Sequence, residues 1–313
     1  MIPIRSGSFA PWSSPAITLT TRRVLTMNSS SRSKASQKRI TYQDCEEFLL
    51  SVVSGNQPAH YHLMTGGSRI RMRVCLDMSL CLGLNDEDAM RLASAVELLH
   101  NASLIHDDIQ DGDSLRRGQS AVWVKFGTNV AICTGDYLIA RAFGILANIS
   151  SPNVLPQLLE ATQNAVSVTV EGQNADLTAK EHISPQNYES IAEKKAGPLL
   201  ALSLELPLIS SGRLNEIPTA RHAASSLAIA YQILDDIKDS VEDATRGRPN
   251  LLNLNLLDRK PEDAIKLTQA RAVYLIKSCE RDLLLMPTVH SESLQGVIRK
   301  LLFLAQGKQC GGS

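Results

Sequence analysis

Beyond Ile40, apolar side chains recur along this chain at intervals of three and four, and no stretch alternates apolar with polar. A period near 3.6 gathers such residues on one face of an α-helix, whereas a half-buried strand needs a period of two. In Glu87–His106 the repeat runs through Met90, Ala93, Val96, Leu99, Ala102 and Ile105. The same period marks Val130–Ile149, Val154–Val170, Tyr188–Leu206, Ala220–Ile237, Pro261–Leu285 and Leu294–Leu304. Ser151-Pro152, Ser184-Pro185, Ser211-Gly212 and Gly247-Arg248-Pro249 punctuate the chain between several of them. The fold class is all-α, a helical bundle, and a hydrophobic content of 43% supplies its core.

Two acidic clusters interrupt this pattern. Asp107-Asp108-Ile109-Gln110-Asp111 follows the apolar Leu104-Ile105-His106, and Asp235-Asp236-Ile237-Lys238-Asp239 follows a run that ends in Ile233-Leu234. Both read DDxxD. On a helix the outer aspartates lie four apart on one face, and the middle one lies three before the last. Uncompensated, they repel one another and oppose the negative end of a helix dipole. A hard cation removes that penalty, and Mg²⁺ is satisfied by a few carboxylates together with waters and phosphate oxygens. One such cluster is commonly a solvated helix end. Two copies, each closing an apolar helix, point to a metal site at a cavity mouth.

The 32 basic and 32 acidic residues leave no formal net charge, which removes any global attraction to nucleic acid or an anionic membrane. An anionic ligand must therefore be met by local basic clusters. No window approaches the ~18 uninterrupted apolar residues of a membrane span; the richest, Leu199–Ile209, contains Glu205. The six cysteines are scattered, with no CxxC pair, which favours a reducing compartment and a cytoplasmic location. Residues 1–40 hold seven Arg or Lys and nine Ser, and no acidic residue precedes Asp44. They are read as a disordered tail or a mis-assigned start ahead of Met27, with the helical domain at 41–313. An organellar transit peptide over 1–26 is the alternative, opposed by Pro3, Pro11 and Pro15.

The two DDxxD clusters resemble the aspartate-rich motifs of the trans-type prenyl diphosphate synthases. Their flanks are similar too: His100-Asn101-Ala102-Ser103-Leu104-Ile105-His106 before the first, Asp113-Ser114-Leu115-Arg116-Arg117-Gly118 after it, Gly135-Asp136-Tyr137-Leu138, Gly172-Gln173 with Asp176, and Tyr231-Gln232. The resemblance covers about residues 60–250. It implies a single-domain antiparallel helical bundle around a central cavity, working as a homodimer. It also implies a magnesium-dependent prenyltransferase that condenses isopentenyl diphosphate with an allylic diphosphate to an all-trans prenyl diphosphate. Asp107, Asp111 and Asp235 are then the principal metal ligands, with Asp108, Asp236 and Asp239 beside them, and three Mg²⁺ ions accompany the bound diphosphate. Arg116 and Lys195 hold the allylic diphosphate, and Gln232 turns its amide towards developing positive charge. Arg71, His100 and Arg117 meet isopentenyl diphosphate. Ala102 and Ser103, five and four residues before Asp107, line the upper product tunnel. Both are small, which implies a product of twenty carbons or more.

Three positions depart from the family pattern. Ser68 stands where the glycine loop carries a lysine, Ala196 follows Lys195 in place of a hydroxyl residue, and Arg246-Gly247-Arg248-Pro249-Asn250 holds no lysine, leaving Arg248 as the preferred cation. A terpene-synthase-like enzyme that ionises its substrate without condensation is the first alternative. A non-catalytic subunit of a heteromeric synthase is the second.

Overall fold

The computed structural model describes residues 39–179, 183–286 and 291–306; the proposed tail lies outside them except for its last two residues, as does Cys310. Each 3.6-period segment falls on one helix: α4 (Asp86–Gln110), α6 (Thr128–Leu146), α7 (Leu155–Thr178), α8 (Pro185–Ser210), α9 (Ile217–Arg246), α11 (Pro261–Leu284) and α12 (Glu292–Ala305). Three helices precede them, α1 (Tyr42–Val52), α2 (Gln57–Met64) and α3 (Ile70–Cys81), and two short ones, α5 (Val122–Phe126) and α10 (Leu251–Leu256), fill connections.

Local chemistry fixes the ends. Thr41 and Asp44 form a reciprocal capping box at α1. Asn85 accepts from the Asp88 N–H at the start of α4, whose first turn carries Asp86, Glu87 and Asp88 against the positive end of the dipole. Ser184 caps α8 ahead of Pro185, and Gly247, at φ 65°, stops α9.

Helix α8 lies between two cores. Leu199, Leu202 and Leu206 pack with residues of α1 to α7. Leu200, Leu204 and Leu208 pack with α9, α10, α11 and α12. A helix apolar on every side is what such a central place demands, and it accounts for the run Leu199–Ile209. Glu205, buried within that run, is bound by both Nε and Nη2 of Arg221.

Three features differ from the sequence reading. Leu115–Arg116 pairs antiparallel with Gln119–Ser120 as a hairpin, too short to show an alternating pattern. Its turn residues Arg117 and Gly118 both have positive φ, 53° and 75°, as a two-residue hairpin with right-handed twist requires. Helix α9 does not end at the second acidic cluster but continues to Arg246, supported by the Glu242–Arg246 pair at 2.8 Å. The opposing helix dipole therefore acts on the first cluster alone. Finally, α6 is a helix long and apolar enough to cross a membrane by length and composition, although 39% of its most apolar window is buried inside the protein.

Candidate active site

The C-terminal end of α4 and the facing parts of α7, α8 and α9 enclose a cavity of about 380 Å³. Asp111, Asp176, Lys195, Gln232, Asp236, Asp239, Asp243, Arg246 and Arg248 line it. A second cavity of about 400 Å³ shares Gln110, Leu177 and Lys195 with the first and is lined further by Ser103, His106, Asp107 and Gln173. The acidic clusters thus face a polar space from two helices.

In both motifs the second aspartate turns inward and fastens the segment that follows. Asp108 is 1% exposed and accepts from Arg116 Nε at 2.8 Å and from its Nη2, which draws the hairpin back against α4. Asp236 is 2% exposed and accepts from the Leu251 N–H at 2.6 Å and from Gln232 Nε2 at 3.3 Å. Burial pushes the Asp236 carboxyl up to about 7, against the neighbouring Tyr188 hydroxyl and the Leu251 N–H. Burial likewise pushes Asp107 up to about 6, with Lys195 pulling it down and Asp111 pushing it further. Among the described residues no hydrogen bond ties the carboxylate of Asp107 or Asp239.

Lys195 is placed by a close crossing of α7 and α8. A Cβ on Gly172 would stand 2.4 Å from the Lys195 backbone nitrogen, so only glycine lets the helices approach this far. The crossing brings Lys195 Nζ to 2.7 Å from Asp176 Oδ2. Burial alone would lower the lysine pKa, but Asp176 and then Asp107 hold it above the usual range. It remains an ammonium group aimed between the acidic motifs.

A basic cluster lies beside the hairpin. Arg71 Nη1 and His100 Nε2 are 3.2 Å apart. The Arg117 guanidinium donates to the Gly66 carbonyl and lies against Gly67, where an added Cβ would meet it at 2.5 Å. Burial, then Arg71 and Arg117, hold His100 well below the usual imidazole range. His62, also buried here, is lowered to about 3 by burial and then by Arg117. Arginines set among neutral imidazoles suit an anion with several oxygens.

The remaining expected residues separate. Asp235 is not among the cavity's lining residues, although it lies one turn before Asp239: Lys238 Nζ donates to its Oδ1 at 2.6 Å. Ser68 is exposed, and Arg69 is no substitute for a loop lysine. Its guanidinium turns inward to Glu46 at 2.8 Å, Glu97 at 3.4 Å and the Leu63 carbonyl at 2.6 Å. Ser103 lines the second cavity, whereas Ala102 is 1% exposed and packed in the core. Arg248 lines the first cavity and donates to the Asp111 carbonyl at 3.1 Å. Asp243 and Tyr188 also line it and were missed. Asp243 was legible as the next turn after Asp239, seven residues beyond Asp236; Tyr188 comes from another helix and left no signal.

The donors suit a hard cation. Several carboxylates face one small cavity, yet among the described residues no three acidic, imidazole or thiol groups stand close enough to hold a metal alone. An ion that takes much of its shell from water and phosphate oxygens fits such a set, as Mg²⁺ does.

Residues 54–251 match the family model described as polyprenyl synthetase. The geranylgeranyl diphosphate synthase of Sulfolobus acidocaldarius is 31% identical over 244 residues, covering 71% of this chain and 74% of that protein. The short chain isoprenyl diphosphate synthase of Methanothermobacter thermautotrophicus is 35% identical over 197 residues, covering 61% and 60%. Among solved structures, the geranylgeranyl pyrophosphate synthetase of the archaeon Geoglobus acetivorans superposes with a TM-score of 0.73 at 24% identity, covering 84% of this chain and 99% of that one.

Proposed function

The chain belongs to the polyprenyl synthetase family and is a prenyltransferase, and from that premise we propose that it joins isopentenyl diphosphate to an allylic diphosphate and releases an all-trans product of twenty carbons or more. The observation that carries this reading is a pair of differently built anion sites, linked by the hairpin whose Arg116 binds Asp108 and whose Arg117 binds the Gly66 carbonyl. One is a carboxylate-lined cavity holding Lys195 and Arg248; the other is the Arg71–His100–Arg117 cluster at the hairpin turn. The names of the relatives, geranylgeranyl diphosphate synthases among them, support the product length.

Asp107, Asp111 and Asp239 would hold magnesium. Asp235 would join them by giving up its half-exposed pair with Lys238, a pair worth about 0–1 kcal/mol. When bound, Mg²⁺ neutralises charge on a departing diphosphate, and three ions accompany it in this reading. Lys195, Arg116 and Arg248 grip the allylic diphosphate from α8, the hairpin and the loop after α9. The allylic carbon–oxygen bond then breaks heterolytically, with both electrons leaving on the diphosphate. Gln232 presents its side-chain amide oxygen towards the allylic cation. Arg71, His100 and Arg117 hold the second diphosphate so that its double bond attacks that cation, forming the new carbon–carbon bond and a second cation. That cation loses a proton to the released diphosphate and regains a double bond. Placing both reactants in one dry site contributes through proximity and through fixed charges. A homodimer completes the reading, with the apolar surface of α6 around Val130 and Ile132 exposed on the single chain.

The test is to incubate purified protein with labelled isopentenyl diphosphate and each allylic starter, with Mg²⁺ and with chelator. Condensation products of twenty carbons or more, only with metal, are expected. The exposed Ser68 favours one second reading, ionisation without condensation. Allylic diphosphate consumed with no incorporated label would establish that instead.

A further inference from the structure

Asn250 is 1% exposed and sits at the junction of the loop after α9 with α10. Its side-chain oxygen accepts from the Asn253 N–H at 3.2 Å, an ordinary helix cap. Its Nδ2 does something a cap does not need. It donates to the Asp236 carbonyl at 2.9 Å and to Asp243 Oδ2 at 2.7 Å, so it is tied to two turns of the acidic helix at once. The next residue repeats the attachment, Leu251 N–H donating to Asp236 Oδ2. Between α9 and this anchor lies Arg248, whose own N–H donates to the Asp243 carbonyl at 2.9 Å. Its guanidinium crosses the cavity to the Asp111 carbonyl at 3.1 Å and lies 3.5 Å from Asp111 Oδ1.

The first motif shows the same construction, Asp108 holding Arg116. In the second motif the Asp236 carboxylate holds the Leu251 N–H in place of an arginine, and the Asn250 side chain adds its own bonds to the Asp236 carbonyl and the Asp243 carboxylate. We infer that Asn250 is a positioning residue, which pins the Gly247–Pro249 loop to the second acidic motif and so holds Arg248 over the diphosphate cavity. The inference rests on the prenyltransferase reading for what Arg248 grips, but not for the pinning itself.

Asn250→Ser separates the two roles of the amide, because serine still caps a helix yet cannot reach both acceptors as a donor. Trypsin cleavage after Arg246 in the folded, substrate-free protein reports the pinning without any activity. A lost net hydrogen bond or two predicts roughly three- to tenfold faster cleavage in Asn250→Ser, and more in Asn250→Asp, which faces Asp243. The thermal midpoint should change little in the serine variant. In steady-state kinetics the KM for the allylic diphosphate should rise by a similar factor while that for isopentenyl diphosphate stays put. Asn250→Ser combined with Arg248→Ala should then be no worse than Arg248→Ala alone. Wild-type cleavage in both Asn250 variants would overturn the inference, reducing the residue to a cap. So would losses that multiply in the double variant, or equal rises in both KM values. A protein inactive towards every allylic starter would sink the functional reading and leave the cleavage comparison to decide the pinning.

Discussion

Ser68 is exposed beside a glycine loop, and the arginine that follows it is spent on Glu46 and Glu97 inside the protein. Ser68 and Arg69 therefore offer no cation to a ligand, and in the proposed reading isopentenyl diphosphate would be left to Arg71, His100 and Arg117. Ser68→Lys should restore one charge-assisted hydrogen bond, worth about 1.5–3 kcal/mol, and lower the KM for isopentenyl diphosphate roughly tenfold or more. The allylic KM should not move; a change confined to the allylic substrate would contradict the placing of this loop. The metal reading is tested just as locally. Asp107→Ala and Asp235→Ala should each cut turnover by about a hundredfold or more, the scale of losing a fixed transition-state charge, with unchanged far-ultraviolet circular dichroism. Undiminished turnover in either variant removes that residue from the ligand set. For product length, Ser103 borders the cavity and Ala102 does not. Ser103→Phe should shorten the dominant product by at least one isoprene unit, read by chromatography after dephosphorylation. Ala102→Phe overpacks the core instead, at about 1–3 kcal/mol, and shows first as a lowered melting midpoint. An unchanged product profile from Ser103→Phe would put the tunnel floor elsewhere.

At the scale of elements, the α7–α8 crossing sets the ammonium group between the acidic motifs. Gly172→Ala places a methyl against backbone atoms of Lys194 and Lys195 that cannot move aside, so the helices must part. A cost of about 1–3 kcal/mol, roughly 5 °C in melting midpoint, should come with a raised allylic KM as the Asp176–Lys195 pair opens. Gly144→Ala in α6 meets nothing within 4 Å and serves as the control, neutral or stabilising. Unaltered stability in Gly172→Ala would mean that the crossing is looser than described. The long helices were legible because each buries one periodic face, and the second half of α8 because burial on both sides left Leu199–Ile209 almost uniformly apolar. The hairpin was not, since two-residue strands carry no period and its left-handed Arg117 gives no glycine at that position. Nor was the continuation of α9, whose last turns are held by i,i+4 charges on a solvent face rather than by apolar spacing. The motifs gave the acidic residues but not their directions. Residues one apart differ by about 100° round a helix, so Asp236 faces inward while Asp235 meets Lys238.

The whole molecule is formally neutral, yet its charges are sorted, with carboxylates round one cavity and arginines with neutral imidazoles beside the hairpin. These two regions respond to pH in opposite senses. Asp107 and Asp236 have folded pKa values raised to about 6 and about 7, so the stability they contribute is full below about pH 4 and is lost as pH rises through 6 and 7. His62 and His100 are depressed, so below about pH 6.5 the unfolded chain takes up protons that the folded chain refuses, and stability falls as pH falls. Between pH 4 and 6.5 the two effects offset, and the bulk pH profile is blunt. A difference between variants isolates one of them. In metal-free protein, Asp107→Asn should be more stable relative to wild type at pH 8 than at pH 5, by about 1–2 kcal/mol or roughly 3–6 °C in melting midpoint. Protons and a cation compete for the same carboxylates, so added Mg²⁺ should raise the wild-type midpoint more at pH 8 than at pH 5. The Asn variant should show a smaller metal response at pH 8. Equal midpoint shifts in the two proteins at both pH values would mean that Asp107 neither carries the raised pKa nor binds the metal, and the acidic cavity would have to be rebuilt from Asp111, Asp239 and Asp243 without it.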